Sequence, residues 1–295
     1  MSDLLTGIRD VDIKILNTIT DEELLMLCGY PEFKDICDNE ELWKQRIITR
    51  IDQDALQFNN NISWQDYYFQ LSDYIPFDNA SIKVAIEEGN LPIIKFIISR
   101  GITPTLREMS GAVKNGHIDI LNFFEQNLSW TGKGSAGLAL LSDQIDVLDW
   151  LEQRNIYPDQ ESIDLAVHTS YYDTLRWILD RDFPLRQSDI NYIVMRNNPY
   201  ILDLLEEYGY LPDQEGADLA LKNNKKRSLD WLAARNIYPN INNNRVINVV
   251  LMNPKPEGLI WLLDNGLQPS QEQISRVVNR IPTRIANILE SHNLL

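Results

Sequence analysis

The chain has 295 residues, 44% of them hydrophobic, with a formal net charge of −16 and a pI near 4.6. Its length and apolar content suffice for a large buried core. So acidic a surface repels phosphate backbones and argues against nucleic acid as a partner, and no run approaches 18 apolar residues, which argues against a membrane span.

The N-terminal stretch "MSDLLTGIRD" lacks a basic segment followed by an apolar core, so no signal peptide is expected. Only Cys28 and Cys37 occur, too few for a disulfide framework, and both fall on apolar faces where buried inert thiols are expected. These features predict an intracellular, cytoplasmic protein. The Asn-x-Ser sequons at Asn61, Asn79 and Asn127 would then carry no glycan.

Residues 11–50 read as three or four short helices. Thr20 with Glu23 and Asp38 with Glu41 have capping-box spacing, and Pro31 suits a first helical turn. This segment resembles an F-box. The resemblance is carried by Ile15-Leu16, the "DEELLMLC" stretch, "FKDIC" and "ELWKQR" around Trp43. It implies docking of a Skp-type adaptor of cullin ubiquitin ligases through Val11, Ile15, Leu16, Leu24 and Leu25. The family's usual Leu-Pro opening is replaced by "IRDVD". A domain over 1–50 is therefore expected, then a linker and capping helix over 51–78 that includes the aromatic stretch Ile62–Tyr74.

From residue 79 the chain repeats. Ala85, Ala112, Ala139, Ala166, Ile193 and Ala220 are spaced by 27, and after one step of 30 the series resumes at Val250 and Val277. Eleven residues after each stands a large apolar residue: Phe96, Phe123, Trp150, Trp177, Leu204, Trp231, Trp261 and Ile288. The extra three residues are expected in the "NPKPEG" turn. Each unit predicts two helices: a first with apolar residues at i, i+3 and i+4, such as Ile163, Ala166 and Val167, and a longer, more apolar second. Gly101, Gly209 or Gly266 stops the second helix, with Pro104, Pro158 or Pro212 just beyond. Such pairs must share a core with their neighbours.

"AVKNGHIDILNFFEQN" and "AIEEGNLPIIKFIISRGITP" resemble the centre of an ankyrin repeat. The resemblance implies short ankyrin-like units without the β-hairpin finger over residues 79–295. The expected fold is all-α, an ankyrin-like solenoid of about eight units behind an F-box-like cluster. The combination resembles proteins that large DNA viruses of protists encode in many copies.

No motif for chemistry emerges. His117, His168 and His292 have no metal-ligand spacing, and "TGKGSAG" (Thr131–Gly137) lacks the phosphate-loop order and reads as a turn. No catalytic residue, metal or cofactor is expected, and the chain is not read as an enzyme. What remains is a binding surface for a protein target. Residues two before and two after each small residue are expected to point away from the core, among them Leu141, His168, Met195 and Met252. Leu141, Met195 and Met252 are apolar where a solvated face would be polar, which suits partner anchoring.

Overall fold

Successive short amphipathic segments, each closed by a polar or glycine turn, build a wholly helical protein. The computed structural model describes residues 9–169 and 171–295; the stretch read for a leader lies, through Ile8, outside them. Among the described residues every regular element is a helix, and none is long and apolar enough to cross a membrane. The chain divides into two compact units, the first ending at Gly132 and the second running Lys133–Leu295.

The first unit holds α1 (Arg9–Leu16), α2 (Asp21–Cys28), α3 (Lys34–Cys37), α4 (Glu40–Arg50) and α5 (Trp64–Asp73), followed by two helix pairs, α6 (Asn79–Glu88) with α7 (Leu91–Ser99) and α8 (Leu106–Lys114) with α9 (Ile118–Leu128). Thr20 and Glu23 cap α2 reciprocally, as their spacing predicts. Before α4 the cap is Asn39 rather than Asp38: the Asn39 side chain accepts from the Glu41 N–H, and α4 starts one residue later than the spacing suggests. Trp43 is buried and donates to the Cys37 carbonyl at 2.8 Å. Its ring meets Tyr68 and Phe69 of α5. Arg46 is fully buried; it donates to the Leu16 and Ile19 carbonyls and pairs with Asp21, which also accepts from the Tyr68 hydroxyl at 2.8 Å. One carboxylate thus ties α2, α4 and α5 together. On its other side α5 reaches the first helix pair, where the Tyr74 hydroxyl donates to Glu88 and Phe77 meets Phe96 edge-on.

Cys28 and Cys37 are joined in a disulfide, which corrects the reading of both as free thiols. The tight turn between α2 and α3 brings their Cα atoms to 5.7 Å, well within bridging reach. The cysteine count therefore ceases to argue for a reducing compartment.

The second unit holds six helix pairs: α10 (Ser135–Leu141) with α11 (Ile145–Glu152), α12 (Gln160–Thr169) with α13 (Tyr172–Leu179), α14 (Gln187–Ile193) with α15 (Pro199–Glu207), α16 (Gln214–Lys222) with α17 (Lys226–Ala233), α18 (Asn244–Met252) with α19 (Glu257–Asp264), and α20 (Gln271–Val277) with α21 (Thr283–Ser291). First helices pack on first helices in sequence from α10 to α20. The small residue of each unit is buried at that crossing: Ala139, Ala166, Ile193, Ala220, Val250 and Val277. In the first unit Ala85 and Ala112 do the same between α6 and α8. Of the large residues eleven further on, Phe123 and Ile288 are half-buried and the other six are core.

The three extra residues of the 30-residue step do not sit in "NPKPEG". They fall in the Asn-rich loop between α17 and α18, since Val250 to Trp261 keeps the standard spacing of eleven.

Second helices are joined by a polar ladder. The indole N–H of Trp177 donates to Asp149 at 2.8 Å, that of Trp231 to Asp203 at 2.6 Å and that of Trp261 to Asp230 at 2.8 Å. One turn after the tryptophan, Arg181 and Arg235 lie over the Trp177 and Trp231 rings at 4.0 and 3.6 Å. Both guanidinium groups then bond a glutamate of the preceding second helix: Arg181 to Glu152 and Arg235 to Glu206. These bonds hold the Glu152 and Glu206 carboxyls below the usual glutamate range.

A second ladder joins the turns. Asp143, Asn197 and Asn224 sit in left-handed conformation, 27 residues apart or a multiple of it. Each accepts from the backbone N–H that opens the next unit's second helix: Thr174, Ser228 and Gly258. In the first unit Gly89 occupies this position at φ 80°, where a Cβ would lie 2.7 Å from the His117 ring. His117 in turn bonds the Glu87 carbonyl at 3.0 Å, so its hydrogen bond spans two units.

Candidate functional site

The first helices of the second unit have a side that the core leaves uncovered. Around an α-helix each residue advances by about 100°. With the small residue at zero, the buried neighbours at −3 and +1, such as Ile163 and Val167, place the centre of the buried arc near 50°. The opposite side is then shared by positions −1 and +2, about 260° and 200° round the helix.

Position −1 carries Leu138, Leu165, Tyr192, Leu219 and Val249 on α10 to α18. Leu165 is 52% exposed, Tyr192 42% and Val249 40%, while Leu138 and Leu219 are half-buried. Position +2 carries Leu141, His168, Met195, Lys222 and Met252, all half-buried. The two positions are three residues apart, so their side chains adjoin on each helix. The result is one largely apolar stripe crossing five helices, with His168 and Lys222 as its polar members. At its middle the rings of His168 and Tyr192 lie 4.5 Å apart, and His168 Nε2 is 2.9 Å from Asp189 of the next first helix.

Position −2 behaves differently from the expectation that it points outward. Asn191 and Asp218 are buried, and Asp164 is held by Gln160 and Arg186. These side chains lie between neighbouring first helices: Asn191 donates to Asp213, and Asp218 accepts from the Asn240 N–H at 2.6 Å. Burial pushes the Asp218 carboxyl above the usual aspartate range. Gly137 leaves room for Ser162, which a Cβ would meet at 2.2 Å.

The stripe has two edges. At the N-terminal ends of the first helices, Gln160 and Gln187 donate to the loop carbonyls of Pro184 and Leu211 in the following unit. The loops that precede α12, α16 and α18 expose Tyr157, Leu211 and Tyr238. Asp159, Glu161, Asp213 and Glu215 line the same edge. The C-terminal edge carries Arg196, Lys222, Lys225 and Lys255.

The chain matches no family model and no curated protein.

In the first unit, the five residues that the F-box resemblance singles out do not form one surface. Val11 and Leu25 are exposed and Ile15 is half-buried, but Leu16 and Leu24 are fully buried. Leu16 and Leu24 are core because α1 and α2 close over α4 and the Arg46 cluster. The exposed apolar residues of α2 are instead Leu25 and Met26, with Tyr30 just beyond its end. Among the described residues no group of three or more His, Cys, Asp or Glu is placed to hold a metal.

The residues at position −1 were open to discovery in the sequence: five apolar residues recur there at the repeat spacing. A pattern centred on the small residue overlooks them, because that residue sits at one side of the buried arc.

Proposed function

We propose that the chain is a non-enzymatic interaction protein whose repeats hold a protein partner on the first-helix stripe of the second unit. One observation carries this reading: apolar side chains recur at position −1 of five consecutive first helices, exposed on three of them and flanked by half-buried Leu141, Met195 and Met252 at position +2, where solvation alone would select polar ones. Scattered exposed apolar residues need no explanation, but a stripe kept over five units does.

The resemblances to ankyrin repeats and to an F-box support an adaptor that joins this partner to a Skp-type protein of a cullin ubiquitin ligase. On this reading the head docks through Val11, Ile15, Leu25 and Met26. A scaffold without a ligase link is the second reading, favoured by the missing Leu-Pro opening and by the burial of Leu16 and Leu24. Calorimetric titration of the full chain with a Skp-type adaptor separates the two. Binding in the tens of micromolar, lost in Leu25→Asp/Met26→Asp, supports the ligase adaptor. No heat at that concentration leaves the scaffold reading.

A further inference from the structure

We infer that the stripe takes an amphipathic α-helix of the partner, laid across α12 to α18, with one basic and one acidic flank. The inference rests on the reading of this face as a binding surface and names what fits it.

Spacing is the first argument. Packed helices lie about 8–10 Å apart. A helix returns to the same side every seven residues, a rise of about 10.5 Å. One apolar side chain per heptad therefore falls between successive first helices, against Leu165, Tyr192, Leu219 and Val249 in turn. Three such steps correspond to a helix of roughly 21 residues.

Backbone chemistry is the second. The stripe is made of helix sides, whose N–H and C=O groups are bonded within each helix. An extended partner laid there would press its own backbone groups against a surface with nothing to pair them, at a desolvation cost. A helix brings its backbone already bonded, which is the groove mode of peptide recognition.

Charge is the third. First helices of successive units run in the same direction, so their ends form two continuous edges. Asp159, Glu161, Asp213 and Glu215 make the N-terminal edge acidic, with Arg245 as its exception, since Arg186 is paired to Asp164. Arg196, Lys222, Lys225 and Lys255 make the C-terminal edge mainly basic, with Asp173 and Glu257 further out at the starts of α13 and α19. A helix crossing between them faces acid on one flank and base on the other, and complementary flanks orient it.

The test uses synthetic labelled peptides of about 21 residues with leucine at heptad spacing, titrated with the full chain by fluorescence anisotropy. The expected result is saturable binding of the peptide carrying Lys on one flank and Glu on the other, with a gain of helical circular dichroism. It should bind about fivefold or more tighter than peptides with Lys on both flanks or Glu on both. Equal or tighter binding of the all-Lys peptide would overturn the inference, since it would reflect only the acidic charge of the chain. Equal binding of a proline-interrupted peptide of the same composition would overturn the helix in favour of an extended partner, and no binding of the mixed-flank peptide would also overturn it. The underlying site is tested apart: Leu165→Glu/Val249→Glu, with an unchanged thermal melt, should weaken binding about tenfold or more. If that variant binds every peptide as the wild type does, the face itself is not the site.

Discussion

Trp177 offers the most direct test of how the second unit is held together. Its side chain is 4% exposed, its ring stacks on Phe183 at 5.8 Å and under Arg181, and its indole N–H bonds Asp149 at 2.8 Å. Replacing it by alanine removes the ring from between two units, and large-to-small changes of this kind cost about 3–5 kcal/mol. Trp177→Phe keeps a ring for Arg181 and Phe183 but loses the N–H. Asp149 stays half-exposed and paired to Arg181, so the lost bond itself costs about 0.5–1.5 kcal/mol. The smaller ring adds a cavity term, for a total of about 1–2 kcal/mol. Urea unfolding followed by far-ultraviolet circular dichroism reads both variants, and an unchanged slope confirms that stability alone has moved. A separate early transition would localise the loss to neighbouring units, as repeat arrays permit. The reasoning fails if Trp177→Ala unfolds within about 1 kcal/mol of wild type. Equal losses for Phe and Ala would instead assign the energy to the bond with Asp149.

Acid should loosen the same ladder. The Glu152 and Glu206 carboxyls are lowered by hydrogen bonds from Arg181 and Arg235, so their contribution is complete above the ordinary glutamate value of 4.5 and is lost as pH falls through their lower folded values; urea midpoints of Glu152→Gln/Glu206→Gln should therefore decline less between pH 5 and pH 3 than those of wild type, two pH points chosen about either side of that value. Asn197 holds φ 54° and accepts from the Ser228 N–H, so Asn197→Ala should cost more than Asn197→Gly, the alanine adding about 1–2 kcal/mol of left-handed strain in a thermal or urea melt. Asp218 has a raised carboxyl, so its ionised form opposes folding as pH rises; Asp218→Asn keeps an acceptor for the Asn240 N–H and should melt at or above the wild-type temperature at neutral pH, with the difference shrinking in acid.

Much of the fold was legible because its strongest constraint is periodic. The closest approach of two first helices admits only a small or slim residue, and Ala85 to Val277 betray it at fixed spacing. Trp150, Trp177, Trp231 and Trp261 stand out for the same reason. The turn ladder was not legible: Asp143, Asn197 and Asn224 look like any polar break until backbone geometry shows the left-handed conformation that Gly89 and Gly116 announce openly. Nor did spacing reveal the disulfide, since a separation of nine residues says nothing about where a turn brings two helix ends. The binding stripe was half legible. Position +2 came from helical geometry alone, but position −1 needed the true centre of the buried arc, which neighbouring helices set.

The Trp–Arg ladder has a further consequence for how this chain can be shortened or lengthened. Where the tryptophan is replaced by Leu204, the preceding aspartate position holds Arg176; where the arginine is replaced by Tyr208 or Asn265, the preceding glutamate position holds Leu179 or Ala233. Neighbouring units are therefore keyed to each other and are not interchangeable. Excising one 27-residue unit after Glu152 would set Leu204 and Tyr208 against Asp149 and Glu152, stranding both acids. Excising 54 residues would set Trp231 and Arg235 there instead, a pair with the same chemistry as the Trp177 and Arg181 it replaces. In this part of the molecule the modular quantum is the double unit.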